Sequence, residues 1–148
     1  MDAKKAIAMV EYGCRFIAKP YIWGGNGCGL TNLGREGHFG FDCSGFVNEC
    51  LAAFGFIPNY ADYSAQGLYT MFKDKWAQVL PEYNTGTLVF FGKDENSITH
   101  VAICVNGWQM IECGGGGKRC TNERNSTGFV RLRPINSRDD VVAMLDPV

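Results

Sequence analysis

Apolar side chains recur at Phe46, Val47, Cys50, Leu51 and Phe54, one face of a helix. Ser44 and Gly45 suit the start of that helix, and Gly55 suits its stop. A second helical stripe, Ala3, Ile7, Val10, Cys14 and Ile17, follows Asp2 as N-cap and is expected to run to Pro20. Between the two lie Tyr21-Ile22-Trp23-Gly24-Gly25 and a glycine-rich loop reaching Gly40, which lacks the lysine of a phosphate-binding loop. A short helix is expected over Ser64–Phe72, capped by Ser64.

From residue 86 the periodicity changes. Segments 86–91, 99–105, 108–113 and 128–132 are rich in β-branched and aromatic residues and read as strands. Asn106-Gly107 marks a hairpin between the middle two. Helices followed by antiparallel strands predict an α+β fold, one domain over residues 1–148.

The net charge of −1, with no basic block, argues against nucleic acid as the partner. No stretch approaches the ~20 apolar residues of a membrane span. The N-terminus leads into an amphipathic pattern rather than a signal sequence, so synthesis in the cytoplasm is expected. Seven cysteines is an odd number, and Cys14, Cys50 and Cys104 fall in apolar segments, so the set reads as reduced. No C-x-x-C pair exists, and neither a metal nor another cofactor is expected.

Cys43 stands apart, since Gly40-Phe41-Asp42-Cys43-Ser44-Gly45-Phe46 places it at a helix start. Unpaired amides and the helix dipole there favour negative charge, so the thiol is expected below its ordinary pKa of about 8.5. A cysteine nucleophile needs a base, and the chain has two histidines. His38 lies in the glycine-rich loop and reads as an exposed loop residue. His100 lies on a strand, on the face of the small residues Ala102 and Cys104, where room for a helix end and substrate is expected. Glu112 is the candidate partner for the second ring nitrogen. A two-residue Asn-Gly turn would turn Glu112 away from His100. A three-residue loop, Asn106-Gly107-Trp108, would pair Ala102 with Glu112 and bring both groups to one face; that is the expectation.

Tyr21-x-Trp23-Gly24-Gly25, Asp42-Cys43-Ser44-Gly45, Gly86-Thr87-Leu88-Val89-Phe90-Phe91, His100-Val101-Ala102-Ile103 and Met110-Ile111-Glu112 occur in that order. Together they resemble the NlpC-type cell-wall peptidases, a papain-like cysteine peptidase family. The resemblance implies a nucleophile helix packed on an antiparallel sheet. It also implies hydrolysis of stem peptides of bacterial peptidoglycan, between D-glutamate and diaminopimelate or lysine. By motif, Cys43 is the nucleophile, His100 the base and Glu112 the third polar residue, a position more often histidine. The resemblance assigns Tyr21 to the oxyanion site, and Asp42 and Ser44 to contacts with the N-terminal end of the substrate. Trp23 reads as cleft wall. Loops 26–39 and 114–117 are expected to border the cleft. Phage tail or lysis proteins are the expected means of delivery. The competing readings are a catalytically silent virion protein and a Cys-His amidase or acyltransferase.

Overall fold

The computed structural model describes residues 2–25, 40–79 and 84–147. Three helices, α1 (Ala3–Cys14), α2 (Cys43–Ala53) and α3 (Ala65–Phe72), precede most of the sheet. The strands are β1 (Ala77–Gln78), β2 (Leu88–Gly92), β3 (Ile98–Cys104), β4 (Gln109–Gly114), β5 (Phe129–Pro134) and β6 (Val141–Asp146). A 3-10 turn covers Ile135–Ser137. The sheet order is β1-β6-β2-β3-β4-β5, with every neighbour antiparallel.

Side chains divide by strand parity. Val101 and Ile103 of β3 and Ile111 of β4 pack into the cluster that holds Met9, Phe46, Leu51 and Leu68 of the helices. The alternate residues Ala102, Cys104 and Met110 join Val89, Phe91 and Met144 on the opposite face. Ile135, from the 3-10 turn, covers that outer face, so the space expected above Ala102 and Cys104 is filled by this turn and not by a helix end.

The helix starts follow their caps. Asp2 accepts from the Lys4 amide at 2.9 Å, and Ser64 from the Gly67 amide at 2.9 Å. α1 is shorter and rotated relative to the expectation from its sequence. It buries Ala6, Met9, Val10 and Gly13, leaving Ile7 and Ile17 exposed. Gly13 explains the rotation: a Cβ there would stand 3.2 Å from the Phe46 ring and 3.3 Å from the Cys50 sulfur, so its bare backbone lets α2 approach. The chain leaves the helix before Pro20 because residues 18–22 dock elsewhere. Ala18 and Tyr21 donate to the carbonyls of Val130 and Gly128, each at 2.9 Å, and Ile22 donates to Phe41.

The β3–β4 connection decides the site. Ile103 pairs with Ile111 and Cys104 with Met110, while the Val105 amide donates to Gln109 at 2.8 Å. The loop is therefore Asn106-Gly107-Trp108, three residues, and the same register sets Ala102 opposite Glu112. Asn106 enforces it, its side-chain oxygen accepting from the Trp108 and Gln109 amides at 3.0 and 2.9 Å. Strands β1 and β6 were not legible in the sequence. β6 nevertheless lies inside the sheet, burying Ala143, Met144 and Leu145.

Gly55 closes α2 with φ +76°, and a Cβ there would meet nothing within 4 Å. Gly55→Ala should therefore cost backbone strain alone, about 1–2 kcal/mol by urea denaturation. An unchanged midpoint would show that the chain relaxes out of this conformation freely.

Candidate active site

Two halves of the fold meet at one cleft. The helix side supplies Cys43, at the first position of α2. Asp42 precedes it as N-cap, accepting from the Gly45 amide at 2.7 Å and the Ser44 hydroxyl at 3.3 Å. The close approach of Gly45 to the Gly25 carbonyl fixes the Trp23-Gly24-Gly25 turn against this helix start, since a Cβ on Gly45 would collide with it. The sheet side supplies His100 from β3 and Glu112 from β4, both on the outer face and both almost wholly buried.

His100 Nε2 lies 3.0 Å from Glu112 Oε1. The other carboxylate oxygen accepts from Arg131 Nε at 3.0 Å and Arg133 Nη1 at 3.4 Å. Both arginines stand on β5, with Arg131 directly opposite Glu112 in register and Arg133 opposite Met110. Burial alone would raise the Glu112 carboxyl. The hydrogen bond and charge of His100, then those of Arg131, overcome it and hold the group at about 2. An ionised carboxylate only accepts, so the ring nitrogen facing it, Nε2, carries a proton.

A cavity of about 220 Å³ is lined by Cys43, His100 and Glu112 together with Tyr21, Trp23 and Arg131, among others. The Cys43 thiol donates to the Thr99 carbonyl, one residue before His100, at 3.9 Å. Burial pushes this thiol up to about 11, and the Asp42 charge acts in the same direction. The backbone amides of Val101, Ser44 and Cys43 pull it down by less. The expected depression at the helix tip is therefore not what the structure gives: desolvation outweighs the helix amides, and the resting group is a thiol.

Tyr21 is buried beside the thiol with its phenol pushed well above the ordinary value, first by burial and then by Cys43, so it remains a donor. Gly116 lies flat against its ring, where any Cβ would clash. Trp23 is half exposed and lines the cleft, as do Gly114, Gly115 and Gly116 of the 114–117 loop. Asp42 and Ser44 do not line it. Asp42 caps the start of α2, and Ser44 donates to it. His38 and the rest of loop 26–39 lie outside the described residues.

Sequence reading missed two participants, Arg131 and Arg133. Arg131 and Arg133 belong to an alternating strand whose polar face pointed only to solvent until β4 and β5 were paired. Cys120 does not line the cleft. Hydrogen bonds from the Thr127 amide, then Gly117 and the Thr127 hydroxyl, lower its thiol to about 7, although the side chain is covered. Among the described residues no cluster of His, Cys, Asp and Glu could hold a metal ion, and no helix is long and apolar enough to cross a membrane.

With this geometry in hand, comparison with known proteins is decisive. Residues 18–133 match the NlpC/P60 family. The chain belongs to that family. A γ-D-glutamyl-L-lysine dipeptidyl-peptidase of Bacillus subtilis is 32% identical over 113 residues, which is 74% of this chain and 32% of that protein. The chain thus spans about a third of the length of that relative. An NlpC/P60 family protein of Bacillus cereus superposes with a TM-score of 0.65 at 24% identity, over 94% of this chain and 39% of that one. RipD of Mycobacterium tuberculosis, described as a non-catalytic NlpC/p60 domain protein adapted to peptidoglycan binding, superposes at 0.67 with 24% identity and 97% of each chain. Both structures show the NlpC/P60 fold in this chain.

Two outcomes test the electrostatics. Glu112 titrates at about 2 in the folded protein against an ordinary 4.5, so its charge contributes stability above pH 4.5 that is lost as pH falls through 2. The shift corresponds to something on the order of 3 kcal/mol. Unfolding measured between pH 6 and pH 2 should show the gap between wild type and Glu112→Gln closing on acidification; a constant gap would contradict the depressed value. Separately, Asp42→Asn retains a capping oxygen but removes a charge that opposes the thiolate. The pH midpoint for alkylation of Cys43, followed by site-resolved mass spectrometry, should fall. A midpoint that stays or rises would remove Asp42 from the electrostatics of the thiol.

Proposed function

We propose that this NlpC/P60 chain is a cysteine endopeptidase that cleaves the stem peptide of bacterial peptidoglycan through Cys43, His100 and Glu112. The observation that carries the proposal is the 3.0 Å pairing of His100 Nε2 with an ionised Glu112 in the cleft that Cys43 opens onto. A purely structural role gives no reason to fix an imidazole against a buried carboxylate in a cleft that a thiol at a helix start also lines. The γ-D-glutamyl-L-lysine activity in the name of the Bacillus subtilis relative supports the bond between D-glutamate and the diamino acid as the target.

In this reading the substrate carbonyl enters against Cys43. His100 Nδ1 takes the thiol proton as sulfur bonds to the carbonyl carbon, so no resting ion pair is needed. The Cys43 backbone amide and the protonated Tyr21 phenol donate to the oxyanion, each good donor being worth roughly 3–4 kcal/mol. The imidazolium, stabilised by Glu112, then gives its proton to the departing amine and the C–N bond breaks. Water attacks the thioester with its proton passing to His100, and the thiolate leaves and is reprotonated. Trp23 walls the cleft on the side of the turn that packs against α2.

Purified peptidoglycan digested with wild type should release new amino termini and shortened stems by mass analysis. Cys43→Ala should release none at matched folding. Fragments from both proteins, or from neither, would defeat the enzymatic reading, and the latter result would favour a non-catalytic binding role of the kind described for RipD.

A further inference from the structure

Trp108, in the loop between β3 and β4, is 61% exposed, yet its backbone is held from both sides. Its amide donates to the Asn106 side chain at 3.0 Å, and its carbonyl accepts from the Ile135 amide at 2.8 Å. An indole left in water adds little to folding. On an anchored backbone it is a surface ready for a ligand, because less motion remains to be lost on binding.

Trp108 lines a cavity of about 360 Å³ with Ile135, Asn136, Arg138, Asp139 and Val141, a size that suits a small ligand. The indole, Ile135 and Val141 are apolar. Asn136 and Asp139 are exposed polar residues; the amide both donates and accepts, and a carboxylate accepts. The charge of Arg138 is already matched within the protein. Asp140 accepts from its Nε and Nη2 at 2.9 and 2.7 Å, and its guanidinium carbon lies 4.8 Å over the centre of the Phe91 ring. A cation so paired makes no demand for an anionic ligand.

The lining therefore suits a neutral ligand with an apolar face and many hydroxyls. A pyranose has both. Its C–H face can lie on an aromatic plane, and the hydroxyls around its rim donate and accept. Polar side chains anywhere on the lining can then find partners, with no fixed order required of them. An acetamido group adds a methyl for an apolar wall. Arg138 also lines the cleft of Cys43, so the cavity borders that cleft. Peptidoglycan carries stem peptides and N-acetylated sugars in one polymer, which brings such sugars to the protein whenever a stem is bound.

We propose that this cavity is a glycan subsite, where Trp108 carries the apolar face of an N-acetylated pyranose and Asn136 and Asp139 bind its hydroxyls. The proposal goes beyond the peptidase reading and rests on it only for the identity of the polymer. The subsite retains the wall polymer and takes no part in bond cleavage.

The probe is N,N′,N″-triacetylchitotriose, titrated by calorimetry against Cys43→Ala protein, which separates recognition from turnover. Saturable binding should appear and should weaken about tenfold with Trp108→Ala, whereas Trp108→Phe, which keeps an aromatic plane, should retain most of it. Asn136→Ala and Asp139→Asn, both at exposed positions, should each weaken it severalfold. No saturable binding at millimolar sugar, or binding that survives Trp108→Ala, would overturn the subsite. Equal binding of maltotriose, or tighter binding of the deacetylated cationic trimer, would also overturn it. Comparing these sugars on one protein does not depend on any cavity substitution folding well. Sugar binding in a protein whose Cys43-containing form leaves peptidoglycan uncut would sustain the subsite and defeat the peptidase reading. Stem cleavage without sugar binding would do the reverse.

Discussion

A single negative charge, buried on β4, organises the sheet side of the cleft. Glu112 is 1% exposed and would be costly to keep ionised without partners. It has three: His100 on one oxygen, Arg131 and Arg133 on the other. The division of labour between the oxygens matters. With Oε2 occupied from β5, Oε1 is held towards β3, and the imidazole is fixed in both plane and tautomer. The register of three strands is thereby written into one hydrogen-bonded group. A one-residue slip of β4 against β3 would place the carboxylate on the helix-covered face, among Ile111 and Cys113, and a slip of β5 would take Arg131 and Arg133 away from it.

The thiol illustrates how two familiar effects compete at one atom. A helix N-terminus stabilises an anion through its free amides, and those of Ser44 and Cys43 do act in that sense. The same packing that fixes the helix start removes water from the sulfur, and the cap that ends the helix is itself a carboxylate. Desolvation and the Asp42 charge win, leaving the thiol protonated at rest. In the proposed mechanism the proton has to move during the reaction, which makes the orientation of His100 more consequential than a stored thiolate would.

The outer face of the sheet carries the remaining consequences. Among the described residues it is covered by the 3-10 turn at Ile135, with Val79 and Val141 packed alongside, and Arg138 lines both the cleft of Cys43 and the larger cavity. Arg138 joins them because it lies across Phe91, the neighbour of His100 on β2. β6 and the turn before it, which carried no clear periodic signal, therefore help form the outer face beside the cleft.

Local chemistry was enough for much of this. Asp2, Asp42 and Ser64 each cap a helix through one short-range hydrogen bond, and Gly55 ends α2 through its positive φ, so those boundaries follow from a few adjacent residues. The ordered motifs likewise marked Cys43, His100 and Glu112, and the hairpin argument required the three-residue loop that is found. Contacts between distant segments decided the rest. Gly13 against Phe46 set the rotation of α1, and docking of residues 18–22 beside β5 and Phe41 ended that helix early. Arg131 and Arg133 became partners of Glu112 only through strand pairing, and the protonated state of Cys43 followed from burial. A cap or a turn is a matter of neighbouring atoms along the chain, whereas desolvation and charge pairing depend on what the fold brings from far away in sequence.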